Sequence, residues 1–227
     1  MTRCLFPNPT RRRAARAFTL LEVMIVIAVI GVLIVLVAPS MREMIGMQRL
    51  RGTATQLVTD MQFARSEAVS RNQFVAVGMR NNAAEAMTCY VVYTSKTNPL
   101  ALWALDPSGC DCTAVPGSAC SATQREVRTV QIPRDIELEL RKPQLQPRTF
   151  AFNPISGGIG AVLASSAEIG DRDFCLEVTR RPRGRLRITV NVAGRASVCS
   201  PDLSVPGYDP CPAPDSALKN CPGIPAP

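Results

Sequence analysis

The chain has 227 residues, enough for one membrane segment and one modest globular domain. It contains no histidine. That removes the commonest general base, the commonest metal ligand and the usual serine or cysteine triad, so neither catalysis nor a bound metal or cofactor is expected. The formal charge of +8 is unevenly placed.

Arg3, Arg11, Arg12, Arg13 and Arg16 precede Phe18, with no acidic residue among them. Without those five, 21 basic residues face 18 acidic ones, and bulk charge is a poor argument for nucleic-acid binding. From Phe18 to about Ala38 the chain is apolar, interrupted only by Thr19 and Glu22. About 20 such residues span a bilayer core. The flanking arginines are expected to stay on the cytoplasmic side, so the remainder is exported. The run is longer than a signal-peptide core, and no small-residue cleavage site with a polar flank closes it. A plain membrane anchor is the other simple reading, but a carboxylate inside a membrane-length helix is costly and calls for a partner.

After Pro39, which has no amide proton and is expected to bend or loosen the helix, the pattern becomes amphipathic. Met47, Leu50, Ala54, Leu57, Met61, Ala64 and Ala68 recur in steps of three and four, with Arg49, Arg51, Gln56, Asp60, Arg65, Glu67 and Arg71 placed largely elsewhere. One helix from about Phe18 to Asn72 is predicted. Its Ala-rich stripe favours packing on a sheet of the same chain over a coiled coil.

Beyond Asn72 the signals are β. Strands are predicted at 74–79, 89–93, 127–132, 136–140, 149–152, 174–178, 186–192 and 196–199, separated by Pro, Gly and Asn turns. A helix followed by antiparallel strands gives an α+β domain with the helix covering one sheet face. The expected organisation is a leader 1–17, an apolar helix 18–39, an amphipathic helix 40–72, a β-rich domain 73–199 and a Pro-rich extended tail 200–227. Asp106–Thr123 reads as an added Pro/Gly/Ser loop.

Nine cysteines are present, and Cys4 lies ahead of the apolar run. The other eight are Cys89, Cys110, Cys112, Cys120, Cys175, Cys199, Cys211 and Cys221. In an exported domain they are disulfide candidates, with connectivity open. A zinc site at Cys110, Cys112 and Cys120 fits the usual ligand spacing poorly.

Arg180, Arg181, Arg183, Arg185, Arg187 and Arg195 fall within sixteen residues with no acid between them. Two readings stand. One is phosphate contact with double-stranded DNA, independent of base sequence. The other is a solvated hairpin tip whose charges prevent edge pairing.

Several motifs carry a family resemblance. Ala17-Phe18-Thr19-Leu20-Leu21-Glu22-Val23 resembles the class III leader of type IV pilins and type II secretion pseudopilins, with Ala17 where the family usually has Gly. Met61-Gln62-Phe63-Ala64-Arg65-Ser66-Glu67-Ala68-Val69-Ser70-Arg71 resembles the helix end of the GspH/FimT branch. Phe152-Asn153-Pro154-Ile155-Ser156-Gly157, then Phe174-Cys175-Leu176, then Ala193-Gly194-Arg195, resembles the strand and turn order of the GspH domain. The resemblance implies a long helix on an antiparallel sheet and cleavage by prepilin peptidase between Ala17 and Phe18. It also implies N-methylation of Phe18, and Glu22 as an assembly residue paired with a Phe18 amine. Implied partners are the prepilin peptidase, other minor pilins or pseudopilins, and inner-membrane lipid, with the C-terminal domain in the periplasm. A minor subunit that initiates or caps a pilus or secretion pseudopilus is the implied function. In FimT-type members a C-terminal GRxR-type loop before the last strand is associated with binding DNA during natural transformation, so the resemblance implies, as the alternative function, a DNA-binding minor pilin for DNA uptake through the Arg180–Arg195 cluster. Here Gly194-Arg195-Ala196-Ser197 holds that place, and Arg183-Gly184-Arg185-Leu186-Arg187 lies one strand earlier.

Overall fold

The structure is a computed structural model. It describes residues 19–82, 87–132, 135–140, 149–162, 167–168, 174–181 and 183–212, with the side chains of 37–39, 81–82, 139–140, 161–162 and 167–168 outside that description. The leader, Ala17, Phe18, Cys221 and the side chain of Pro39 therefore lie outside the described residues. The chain divides into two units, Met1–Glu43 and Met44–Pro227.

Helix α1 spans Leu20–Ser70, two residues inside the predicted limits at each end. Thr19 caps it: its Oγ1 accepts the backbone N–H of Glu22 at 3.2 Å. Thr19-x-x-Glu22 is thus the capping-box spacing, and the carboxylate sits in the first turn, where the helix dipole favours negative charge. At the other end Gln73 N–H returns to the Ala68 carbonyl, and Asn72 takes the left-handed conformation at φ 50°.

In the first unit the large apolar side chains from Leu20 to Leu36 are 46–77 % exposed on every side of the helix. Among the described residues no single helix is long and apolar enough to cross a membrane. The segments Leu20–Leu36 and Ser40–Ser70 meet that test together, by length and composition.

In the second unit the expected stripe is the buried one. Leu50, Ala54, Leu57, Met61, Ala64 and Ala68 are all at most 1 % exposed. Two antiparallel sheets meet that stripe, where one was expected. The first contains β1 (Val75–Asn82), β2 (Met87–Ser95), β3 (Gln124–Ile132), β5 (Thr149–Phe152), β6 (Ile159–Val162) and β7 (Ala167–Glu168), in the order β3-β2-β1-β5-β6-β7. The second contains β4 (Ile136–Leu140), β8 (Phe174–Arg180), β9 (Arg185–Val190) and β10 (Ala196–Cys199), in the order β10-β9-β8-β4. Alternation sets the faces. Val75, Val77, Tyr90, Val92, Phe150 and Phe152 from the first sheet, and Leu176, Val178, Leu186 and Ile188 from the second, share one core with the helix.

The outer face of the first sheet is also covered. Ala76, Cys89, Val91, Tyr93 and Ala151 pack with Leu102, Leu105, Cys110, Cys112 and Ala119. The loop Asp106–Thr123 is therefore a folded cover, held by Cys89–Cys112 and Cys110–Cys120. Residues 200–212 correct the expected extended tail. Ser200 bridges Pro210, Cys199 bonds Cys211, and Val205 enters the core at 1 % exposure. Cys175 is also disulfide-bonded.

Candidate functional site

The arginines of the 180–195 segment do not form one surface. On β8 and β9, Leu176, Val178, Leu186 and Ile188 face the core, so Glu177, Arg185 and Arg187 face the other way. Glu177 lies directly opposite Arg187 in the β8–β9 register. Arg187 donates Nη2 and Nε to Glu177 Oε1 at 2.9 and 3.2 Å. Arg187 is 6 % exposed and Glu177 1 %, so this guanidinium is occupied and withdrawn from solvent. Arg185 Nε lies 3.8 Å from the other carboxylate oxygen. Arg180 is half-buried against α1, where a Cβ at Gly46 would collide with its guanidinium. Arg181 reaches Glu137 at 3.4 Å from the exposed β8–β9 turn, and Arg183 is exposed there too. Arg195 is exposed in the β9–β10 turn, at the opposite end of β9. At ~3.3 Å per residue, six-residue β9 separates the two turns by roughly 20 Å.

A polar centre not expected from the sequence lies in the core. Asp60, assigned above to the polar side of the helix, is 2 % exposed. Its Oδ2 accepts the Tyr90 hydroxyl at 2.6 Å, and Arg128 Nη1 meets Oδ1 as an ion pair at 2.7 Å. The triad ties α1 to β2 and β3. Burial, then the hydrogen bond and charge of Asp60, push the Tyr90 phenol well above its ordinary pKa. The available sequence signal was position: Asp60 stands three residues after Leu57 and four before Ala64, on the edge of the apolar stripe.

Arg65 and Glu67, in the motif at the helix end, are not a plain solvated face. Arg65 Nε donates to the Gly157 carbonyl at 3.0 Å. Gly194 lies against that same carbonyl, so a Cβ there would collide with it. Both glycines have positive φ, 64° and 75°. One helix arginine thus binds two turns, β5–β6 and β9–β10, where side chains are strained. Glu67 pairs with Arg71 one turn on.

Beside this clamp, Asn153 closes a turn: its Oδ1 accepts the N–H of Ile155 at 2.8 Å and of Ser156 at 3.3 Å. Ile155 is held outward at 89 % exposure, more than any large apolar side chain of the Leu20–Leu36 segment.

A capped helix with a bare apolar N-terminal part, continuing into a head of antiparallel sheets packed on its second part, defines a pilin-like α+β protein. Residues 53–194 match the family described as Type II transport protein GspH, and residues 12–38 match the prokaryotic N-terminal methylation motif. The chain belongs to the GspH family of pilins and pseudopilins. It is similar to the type IV minor pilin FimU of Pseudomonas aeruginosa strain PAO1 in two crystal forms. Identities are 14 % and 15 %, coverage is 70 % and 71 % of this chain and 98 % and 95 % of FimU, and TM-scores are 0.41 and 0.43. It is also similar to the minor pseudopilin EpsH from the Type 2 Secretion System of Vibrio cholerae, at 13 % identity, 68 % and 98 % coverage and TM-score 0.37. Comparison with curated proteins gave no match.

Proposed function

We propose that this chain is cut between Ala17 and Phe18, is methylated at Phe18, and serves as a minor subunit that initiates or caps a type IV pilus or a type II secretion pseudopilus. The observation that carries this reading is the Leu20–Leu36 surface, apolar all round the helix and exposed. Such a surface is stable only in lipid or among like helices. Glu22, in its first turn, would pair with a Phe18 amine and set the axial register of neighbouring subunits. The head supports a minor place. Its disulfide-tied cover and folded residues 200–212 are bulky additions that a subunit repeated in every filament turn would have to accommodate.

The test is the share of the full chain recovered in sheared filaments when Glu22→Ala replaces the wild type. A loss of about tenfold or more, with the protein still in the membrane fraction, is expected. Unchanged recovery, or wild-type protein never found in filaments, would overturn the reading.

DNA uptake through the arginine cluster has no specific observation in its favour. Arg187 is buried, Arg185 and Arg181 face carboxylates, and Arg195 lies a strand's length from Arg183.

A further inference from the structure

We propose that Cys175 is bonded to Cys221, and that residues 213–227, held by this bond, cover the outward face of the second sheet. The exclusion of Cys4 as the partner rests on the processing proposed above.

The pairing follows from the cysteines that remain. Cys89–Cys112, Cys110–Cys120 and Cys199–Cys211 use six of the nine. Cys175 is itself disulfide-bonded, so its partner is Cys4 or Cys221. Cys4 lies ahead of the apolar run, on the side that the arginines hold in a reducing compartment, and it departs with the leader. Cys221 lies beyond that run, on the same side as Cys175.

The register allows the reach. Phe174 and Leu176 face the core, so Cys175 faces outward with Glu177. Cys199, Arg187 and Glu177 stand opposite one another across β10, β9 and β8. Cys175 is two residues along β8 from this row. Two strand spacings and two residues put Cys175 roughly 12 Å from Cys199, which anchors Cys211. The chain from Cys211 to Cys221 extends to about 33–36 Å, so it crosses the sheet with length to spare.

The face is also closed. Cys175, Glu177 and Arg187 point away from the core, yet they are 4, 1 and 6 % exposed. Residues 200–212 meet the far end of the hairpin. There Ser200 and Ser204 bond the backbone of Arg185, which lies opposite Thr179, four residues along β8 from Cys175. A segment tied at Cys175 supplies the cover at the near end and helps to keep the Glu177–Arg187 pair out of water.

The bond forms by exchange with the disulfide of an oxidised dithiol protein of the export compartment. One thiolate opens that disulfide to a mixed disulfide, and the other displaces it. The two cysteines give up two protons and two electrons, and the exchange protein leaves as its dithiol.

The test is peptide mapping without reduction of the full chain isolated from its own cells, with free thiols alkylated first. A peptide pair joining Cys175 to Cys221, lost on reduction, is expected. Cys175 alkylated, or joined to any other cysteine, overturns the pairing. A chain that begins at Phe18 with Cys175 alkylated sinks only this proposal, whereas a Cys4–Cys175 link shows a retained leader and sinks the processing as well. The cover is read with the photo-cross-linker p-benzoylphenylalanine in place of Leu218. Adducts within the chain to residues 175–189 are expected, and their absence overturns the cover.

Discussion

Arg187 and Glu177 face each other across β8 and β9, with Nη2 2.9 Å from Oε1, and both are nearly withdrawn from water. A paired buried charge is tolerated because its partner is there; a lone one is not. Arg187→Ala should therefore destabilise the head by about 3–5 kcal/mol, since it removes the guanidinium that faces the buried Glu177 carboxylate. Urea unfolding of the two proteins measures this. A change below about 1 kcal/mol, the range of exposed ion pairs, would show that the pair is solvated.

Asp60 holds the Tyr90 hydroxyl at 2.6 Å inside the core. Tyr90→Phe should cost about 1.5–3 kcal/mol, the range for a hydrogen bond to a charged group. Asp60→Ala should cost more, because it also leaves Arg128 unpaired. A Tyr90 variant as stable as the wild type in denaturant titration would contradict this.

The same triad gives an alkaline limit. Burial, foremost, raises the folded pKa of both Tyr90 and Tyr93 above the ordinary value of about 10. The unfolded chain gives up those protons first, so their contribution is complete below about pH 10 and is lost as pH rises beyond it. Stability should fall progressively as pH rises above about 10, with these two phenolates appearing only as the head unfolds, and the fall should be gentler in Tyr90→Phe. Phenolate appearing at about pH 10 with the fold intact would show that the phenols are solvated.

Two carboxylates in and beside the loop cover titrate in the opposite direction. Burial raises the pKa of Asp111, but hydrogen bonds from Thr113 and the charge of Arg80 outweigh it and lower the value. Burial likewise opposes, and hydrogen bonds from Thr129, Gly117 and Ala119 overcome, the effect at Glu126. Their stabilisation is complete above the unfolded values of about 4 and is lost as pH falls through the depressed folded values. The Gly117 and Ala119 amides, which donate to Glu126 at 2.8 and 2.9 Å, should lose hydrogen-exchange protection relative to core strands below about pH 4. Equal protection of loop and core at acid pH would count against this account.

Cys199 and Cys211 close a short loop that brings Val205 into the core. Replacing both by Ser should cost about 2–4 kcal/mol, by chain entropy and by release of Val205. Limited proteolysis should then cut within residues 200–212. Resistance equal to wild type would show that packing alone holds the segment.

Much of this fold was legible because its signals are local. The helix stripe predicts the buried residues from Leu50 to Ala68, and strands β4, β5 and β10 fall at their predicted limits. What escaped depended on the rest of the molecule. Strand β6 is Ile-Gly-Ala-Val after two glycines, which reads as a turn until Phe152 pairs with Ile159. Asp60 reads as polar surface until Tyr90 and Arg128 arrive from other strands. Arg187 looks like a member of a charge run, but period-2 alternation with Leu186 and Ile188, and Glu177 across the hairpin, give it a buried partner. Arg65 could be placed in a motif, but the two turns it binds could not.

The central claim, a processed filament subunit, is tested most directly by the N-terminus of the protein isolated from a host with active prepilin peptidase. Mass spectrometry of that terminal peptide should find a chain beginning at Phe18, with a methyl group on its amine and Glu22 as the fifth residue. A chain still beginning at Met1, or one cut beyond the apolar run after Ala38, would contradict it.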